Sequence, residues 1–159
     1  MDAEEKMKVV LAGFPVVVVQ PVQWGEQDLL GHVNHVTYFR WYESARIAYF
    51  LKVGLMDMHK NERIGPILAS VANDYRRQIS YPDTVHIGVR ITRIGRTSMD
   101  MEHKILSQND HAVAAEGTST LVVFDYQTNK SHPVPARIRH AIETLSKNTG
   151  AVRAIEHRH

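Results

Sequence analysis

Apolar residues fall along this chain in three rhythms. From Pro15 to Trp24 the run Val16-Val17-Val18-Val19 is continuous and β-branched, which predicts a buried strand ending at Gly25. From Val36 to Phe50 there is neither proline nor glycine, and the aromatic content suits either a strand or a buried helix. A step of about 100° per residue puts Tyr38, Trp41, Tyr42, Ala45, Ala48 and Tyr49 on one broad face. Val36, Phe39, Ile47 and Phe50 fall largely on the other, so a helix here is apolar nearly all round and needs protein on most sides. The length of the segment, with Asn34 placed to cap its first turn and Gly54 to stop its last, favours a central helix.

The second half alternates. Val85, Ile87, Val89 and Ile91 interleave with His86, Gly88, Arg90 and Thr92, the pattern of a half-buried strand, and Gly95 marks the turn after it. Strands are also predicted from Ser98 to Ser107 and from Ala112 to Asp125, separated by the turn residues Gln108, Asn109 and Asp110. Another covers Ile67 to Ser80 and closes at Tyr81-Pro82. Pro133 and Pro135 precede a short amphipathic helix, Ala136 to Leu145. One strand, a long helix and a meander of strands predict an α+β domain in which a sheet wraps a helix.

Composition narrows the class. A chain of 159 residues, 43% apolar and 23% charged, suits one folded domain over 1–159, with a core at about 14–146 and loose ends. No cysteine is present, which excludes disulfides, thiolate metal sites and a cysteine nucleophile. The opening MDAEEKMK carries acids where a secretory signal would be basic. The apolar run from Val9 to Val19 is broken by Gly13 and Pro15 and falls short of the roughly 20 residues that span a bilayer. A cytoplasmic protein with no membrane partner is therefore expected. A net charge of +2 gives no reason to expect nucleic acid, and His157 and His159 sit in a charged tail read as a solvated end.

The most informative stretch is WGEQDLLGHVNHVTYFRWYESAR, Trp24 to Arg46. Its Trp24, Asp28, Gly31, His32-Val33-Asn34-His35, Tyr38, Glu43 and Ala45-Arg46 resemble the signature of the hot-dog acyl-CoA thioesterases, typified by 4-hydroxybenzoyl-CoA thioesterase and the short-chain enzymes associated with the Tol-Pal system. A weaker resemblance runs on to about Asp125, through Asp74-Tyr75-Arg76-Arg77, Tyr81-Pro82-Asp83 and Arg93 to Ser98. It implies the hot-dog fold, an antiparallel β-sheet wrapped around a long central α-helix, and hydrolysis of a thioester to free acid and CoA. It also implies a homodimer or a dimer-of-dimers homotetramer with sites between subunits.

By that resemblance the catalytic carboxylate is Asp28, and the oxyanion donor is the backbone N–H of His35. The chemistry makes this intelligible: a thioester carbonyl needs a carboxylate nearby, as nucleophile or as base to a water, and separate donors for the developing oxyanion. Free N–H groups in a first helical turn supply such donors. Candidate catalytic residues are thus Asp28, His35 and Asn34. The His35 side chain is open to two readings, a proton-transferring or orienting imidazole and a group that only packs or caps; Asn34 orients the loop and caps the helix. Gly31, His32 and Tyr38 are candidate substrate-binding residues. His32 and His35 lack a third ligand at sensible spacing, so no metal is expected, and no cofactor beyond the CoA of the substrate itself. Glu43 and Arg46, three apart on the helix, suit a structural ion pair, the alternative being Glu43 as the catalytic acid. Arg76, Arg77, Arg90, Arg93 and Arg96 are candidates to grip CoA phosphates or, equally, ordinary solvated charges of a sheet.

Other classes leave marks that are missing. No Gly-x-Ser-x-Gly elbow occurs, and Asn34 is followed by His35 and not by the proline of the hot-dog hydratase and dehydratase motif. A non-catalytic acyl-CoA or acyl-carrier binder keeps the same fold, and the retained Asp28 speaks for hydrolysis.

Overall fold

The computed structural model describes residues 1–149 and the two-residue strand Glu156–His157. His159 lies outside the described residues. In chain order the elements are α1 (Ala3–Leu11), β1 (Val16–Pro21), a 3-10 turn (Trp24–Glu26), α2 (His35–Val53), α3 (Leu55–Glu62), β2 (Ile64–Tyr75), β3 (Thr84–Ile94), β4 (Ser98–Ser107), β5 (Ala112–Asp125), β6 (Lys130–Ser131), α4 (Ala136–Asn148) and β7 (Glu156–His157).

Five strands form an antiparallel sheet in the order β1-β3-β4-β5-β2, with β6 added to β5 and β7 to the far end of β3. Register shifts between Leu68 and Ser70, Ile91 and Arg93, and Ile105 and Leu106 put bulges in three ladders. Bulges raise the local twist and curl a sheet, and α2 lies in the resulting concavity. Trp41, Tyr42, Tyr49 and Phe50 of the helix meet Ile87, Ile94, Met99, Met101 and Ile105 of the sheet, all buried. Gly117 of β5 lets the helix come close: a Cβ there would stand 2.8 Å from the Tyr42 ring and from the Ala72 carbonyl oxygen. The α+β architecture with a sheet curled round a long helix is the one the sequence predicts.

Several boundaries differ. The first strand stops at Pro21, because Trp24 to Glu26 turns into a 3-10 helix. β2 begins at Ile64 and leaves the sheet at Tyr75, where the Arg76 and Arg77 amides both converge on the Ala114 carbonyl. Residues expected as a loose end form α1, opened by a capping box in which the Asp2 and Glu5 side chains and backbones bond reciprocally. It lies on the outer face of the sheet, where Gly88 leaves room for Phe14 and Leu11.

The largest difference concerns α2. Expected to be surrounded, it is buried along one face only, while Val36 is 51% and Ile47 41% exposed. One chain's sheet curls round a single side of the helix. β2, at the sheet margin, pairs with β5 alone among the described residues, and its Ile67, Leu68 and Tyr75 are exposed. No helix among the described residues is long and apolar enough to cross a membrane.

Candidate active site

The segment after the 3-10 turn folds into a narrow hairpin that delivers the chain to α2. Gln27 pairs with Val33, the Asp28 amide donates to the His32 carbonyl (2.9 Å), and the Asn34 amide donates to the Glu26 carbonyl (2.9 Å). Leu29, Leu30 and Gly31 form its tip. The Gly31 amide donates to the Asp28 carbonyl (3.1 Å), and Gly31 has φ +80°, so the turn ends in a left-handed residue that favours glycine. By this register Asp28 stands near the tip and His35 at the base, three ladder steps or roughly 10 Å along the strand direction.

Asp28 is exposed, and its Oδ1 accepts from the Leu30 amide at 2.8 Å. Among the described residues its second carboxylate oxygen has no hydrogen-bond partner. At the base, Asn34 caps α2: its Oδ1 accepts from the Val36 amide (2.9 Å) and its carbonyl accepts from the Thr37 amide (3.0 Å). The His35 amide, at the first helical position, is left without an acceptor among the described residues. It carries the positive end of a 19-residue helix. The His35 side chain is exposed.

A second segment, residues 75–81, buttresses the hairpin. The Tyr75 hydroxyl donates to the His35 carbonyl (3.1 Å), the Val33 amide donates to the Ile79 carbonyl (2.7 Å), and the Tyr81 amide donates to Gln27 Oε1 (3.1 Å). His32 Nδ1 meets Ser80 Oγ at 3.1 Å. Tyr38 is 2% exposed and packs edge-on against Tyr75 at 4.9 Å between centroids. Burial, helped by Tyr75, pushes its phenol up to about 12, so it stays protonated. Sequence reasoning did not single out Tyr75, Ile79 or Ser80. The only signal was their place in the weaker stretch of the resemblance, since their contacts cross 40 to 48 residues of chain.

The structure does not bring the five arginines together. Arg76 and Arg77 follow β2 at the Asp28 end of the molecule; Arg93 and Arg96 lie at the β3–β4 turn, at the other end of the strands. Arg90 binds Glu102 through Nε (3.0 Å) and Nη2 (2.8 Å) and lies 4.5 Å over the Phe14 ring. Arg93 binds Asp100 at 2.6 Å, and Arg76 lies between Glu116 (3.4 Å) and Asp74 (3.9 Å). Arg77 and Arg96 are exposed and have no ion-pair partner among the described residues. Glu43 and Arg46 do not close into an ion pair: Glu43 is exposed and Arg46 buried, and burial holds the guanidinium below its ordinary range while the nearby Glu43 charge works against that shift. No group of three or more histidine, aspartate or glutamate side chains among the described residues is placed to hold a metal ion.

Comparison with known proteins places this geometry in context. The profile of the thioesterase-like superfamily matches residues 22–142, from the end of β1 into α4. The structure is similar to a thioesterase from Thermus thermophilus that was solved with coenzyme A and zinc: 33% identity, TM-score 0.76, covering 85% of this chain and 96% of that one. A DHNA-CoA thioesterase from Staphylococcus aureus, at 20% identity, shares the fold (TM-score 0.76, covering 89% and 97%). The Bacillus subtilis (strain 168) protein YsmA is 33% identical over 82 residues, which are 52% of this chain and about half, 54%, of that protein.

Proposed function

Since the chain belongs to the thioesterase-like superfamily, we propose that it hydrolyses an acyl-CoA thioester to the free carboxylic acid and CoA, at the junction of the Asp28 hairpin and the start of α2. The observation that carries this is the pairing of an accessible carboxylate with a helix amide that has no acceptor. The His35 N–H is the donor for the thioester oxygen as it gains charge. Asp28 then has two routes. It adds to the carbonyl carbon, expels the CoA thiolate and leaves an acyl-aspartyl anhydride that water opens; or it takes a proton from a water that attacks directly, and the same thiolate leaves. Both give one acid and one thiol per water consumed. The reading needs no cofactor, because CoA is part of the substrate.

His32, held by Ser80, and the exposed His35 imidazole border the attacked carbonyl, and Gly31 lets the hairpin turn beside it. Tyr38, sealed behind Tyr75, supports the floor of the site. Arg77, exposed at the same end of the molecule, is the arginine of the five best placed for CoA phosphates. The free edge of β2 and the bare side of α2 support assembly as a homodimer, in which the open side of each site meets the other subunit.

Release of free thiol from short, long and aromatic acyl-CoAs tests the activity, wild type against Asp28→Asn. Turnover by the wild type and its loss in the variant are expected. A variant that turns over normally removes Asp28 from the chemistry, and a wild type inert on every acyl group turns the protein into a binder.

A further inference from the structure

A donor that must stay free for a substrate cannot be aimed by a hydrogen bond of its own. The His35 amide is in that position, and it belongs to the first residue of α2, where helices fray. Its direction is set by the groups on either side. Within the same peptide unit the Asn34 carbonyl accepts from the Thr37 amide (3.0 Å), and across the Asn34 Cα the Asn34 amide donates to the Glu26 carbonyl (2.9 Å). Both ties are local to the helix end and its hairpin. Beyond the His35 Cα, the His35 carbonyl accepts from the Tyr75 hydroxyl (3.1 Å), which reaches it from the end of β2. That bond ties the first residue of the helix to the sheet.

Tyr75 is the last residue of β2, opposite Ala115 of β5, and at 46% exposure it adds little to the core. Its ring is nevertheless fixed. Tyr38, 2% exposed and one turn along α2 from His35, meets it edge-on, with 4.9 Å between centroids and 82° between planes. Residues three apart on a helix share a face, so α2 offers from one side both a wall for the ring and an acceptor for the hydroxyl. A second tie runs beside the first: the Val33 amide, two residues before the helix, donates to the Ile79 carbonyl (2.7 Å). The hairpin and the helix start thus hang on the same segment, 75–81.

We propose that Tyr75 is a positioning residue for thioester hydrolysis: by holding the His35 carbonyl, its hydroxyl sets the direction of the His35 N–H towards the thioester oxygen. The inference rests on the acyl-CoA reading above and deepens it. An oxyanion donor is worth most when it is already aimed as charge develops, since no reorientation is then needed. Acting through the helix backbone, Tyr75 need not touch the reacting atoms. Without its hydroxyl the first turn gains freedom where a straight hydrogen bond is required. The weakly polar carbonyl of the bound substrate feels this little and the charged transition state feels it fully, so the loss falls on kcat.

Tyr75→Phe tests this, because it keeps the ring against Tyr38 and removes the hydroxyl alone. With the acyl-CoA that the wild type turns over fastest, kcat should fall roughly ten- to a hundredfold while KM stays within about threefold. The melting temperature should fall by no more than about 4 °C, the loss of a single hydrogen bond. A second readout is the carbonyl stretch of a ketone analogue of that substrate, with CH2 in place of the thioester sulfur. Binding to the wild type should lower its wavenumber, and Tyr75→Phe should remove much of that displacement. An unchanged kcat, an effect confined to KM, or a carbonyl stretch that the variant leaves at its wild-type position overturns the role of Tyr75 and leaves the thioesterase reading intact. A melting temperature lower by about 10 °C or more also overturns it, since the hydroxyl would then hold the fold and not the donor. A wild type inert on every acyl-CoA overturns both.

Discussion

Helix α2 carries unpartnered polar groups in two places, and their surroundings are opposite. At its start the His35 amide and the nearby Asp28 carboxylate stand in water, where solvent supplies their hydrogen bonds and can be displaced by a reactant. At its middle, Trp41 Nε1, Arg46 Nη1 and, across the interface, Asn73 Nδ2 and His103 Nδ1 are sealed from solvent without protein partners. A sealed polar atom of this kind costs on the order of 1–3 kcal/mol. One end of the helix is arranged for groups that come and go; its middle can only be answered by something that stays.

A change at the open end should leave the sealed region undamaged. Asp28→Asn should lower thioester turnover on the order of a thousandfold, about 4 kcal/mol of transition-state stabilisation. Its melting temperature should match the wild type, because the carboxylate is exposed. A variant that melts early would make Asp28 part of the scaffold.

The sealed region should answer to pH instead. Burial, with Arg46 adding to it, pushes the His103 imidazole down to about 3, whereas the unfolded chain's histidine titrates near its ordinary 6.5. Below pH 6.5 the unfolded chain takes up a proton that the folded chain refuses. The stability so conferred is complete above pH 6.5 and drains as pH falls towards 3. Between pH 7 and pH 5 the loss is about 2 kcal/mol. Denaturant unfolding at the two pH values measures it, and His103→Gln should flatten the slope by that amount. Equal slopes in the two proteins would show that His103 is not the group responsible.

The smallest expected effect lies at the boundary between the two regions. Asn34→Ala removes the side-chain acceptor of the Val36 amide and should cost about 1 kcal/mol of stability. It also frees a second donor beside His35, so turnover should change less than tenfold. Thermal melts with parallel thiol-release rates check both, and a loss of activity as deep as that of Asp28→Asn would promote Asn34 from cap to catalyst.

The legible parts of the fold were those whose pattern is local. Alternation from Val85 to Ile91 predicts β3 whatever lies above it, and Asn34 before an unbroken run predicts the start of α2 within one residue. The hairpin was legible as a string of residues; its geometry, with Gly31 in the left-handed region, was not. What escaped depends on the far side of a contact. Asp2 and Glu5 have the spacing of a capping box, yet an acidic opening by itself argues only against a signal peptide. Arg46 stands three residues after Glu43 and so suggests a surface ion pair; only the closeness of β4 and β5 turns it inward. His103, polar in an alternating strand, sits among inward-facing residues because Ser119 is there to meet it. The arginines looked like a cluster because sequence distance hides that β3 carries Arg93 away from Arg76.

Gly117 sets how closely α2 seats on the sheet. Because Tyr42 rests on a residue without a side chain, α2 rides at the lowest height the sheet permits. A methyl group there would have to raise the helix or tilt it, and a rigid rod tilted near its middle moves most at its tips. The seat of the amino end thus depends on an atom that is missing some two turns away along the rod.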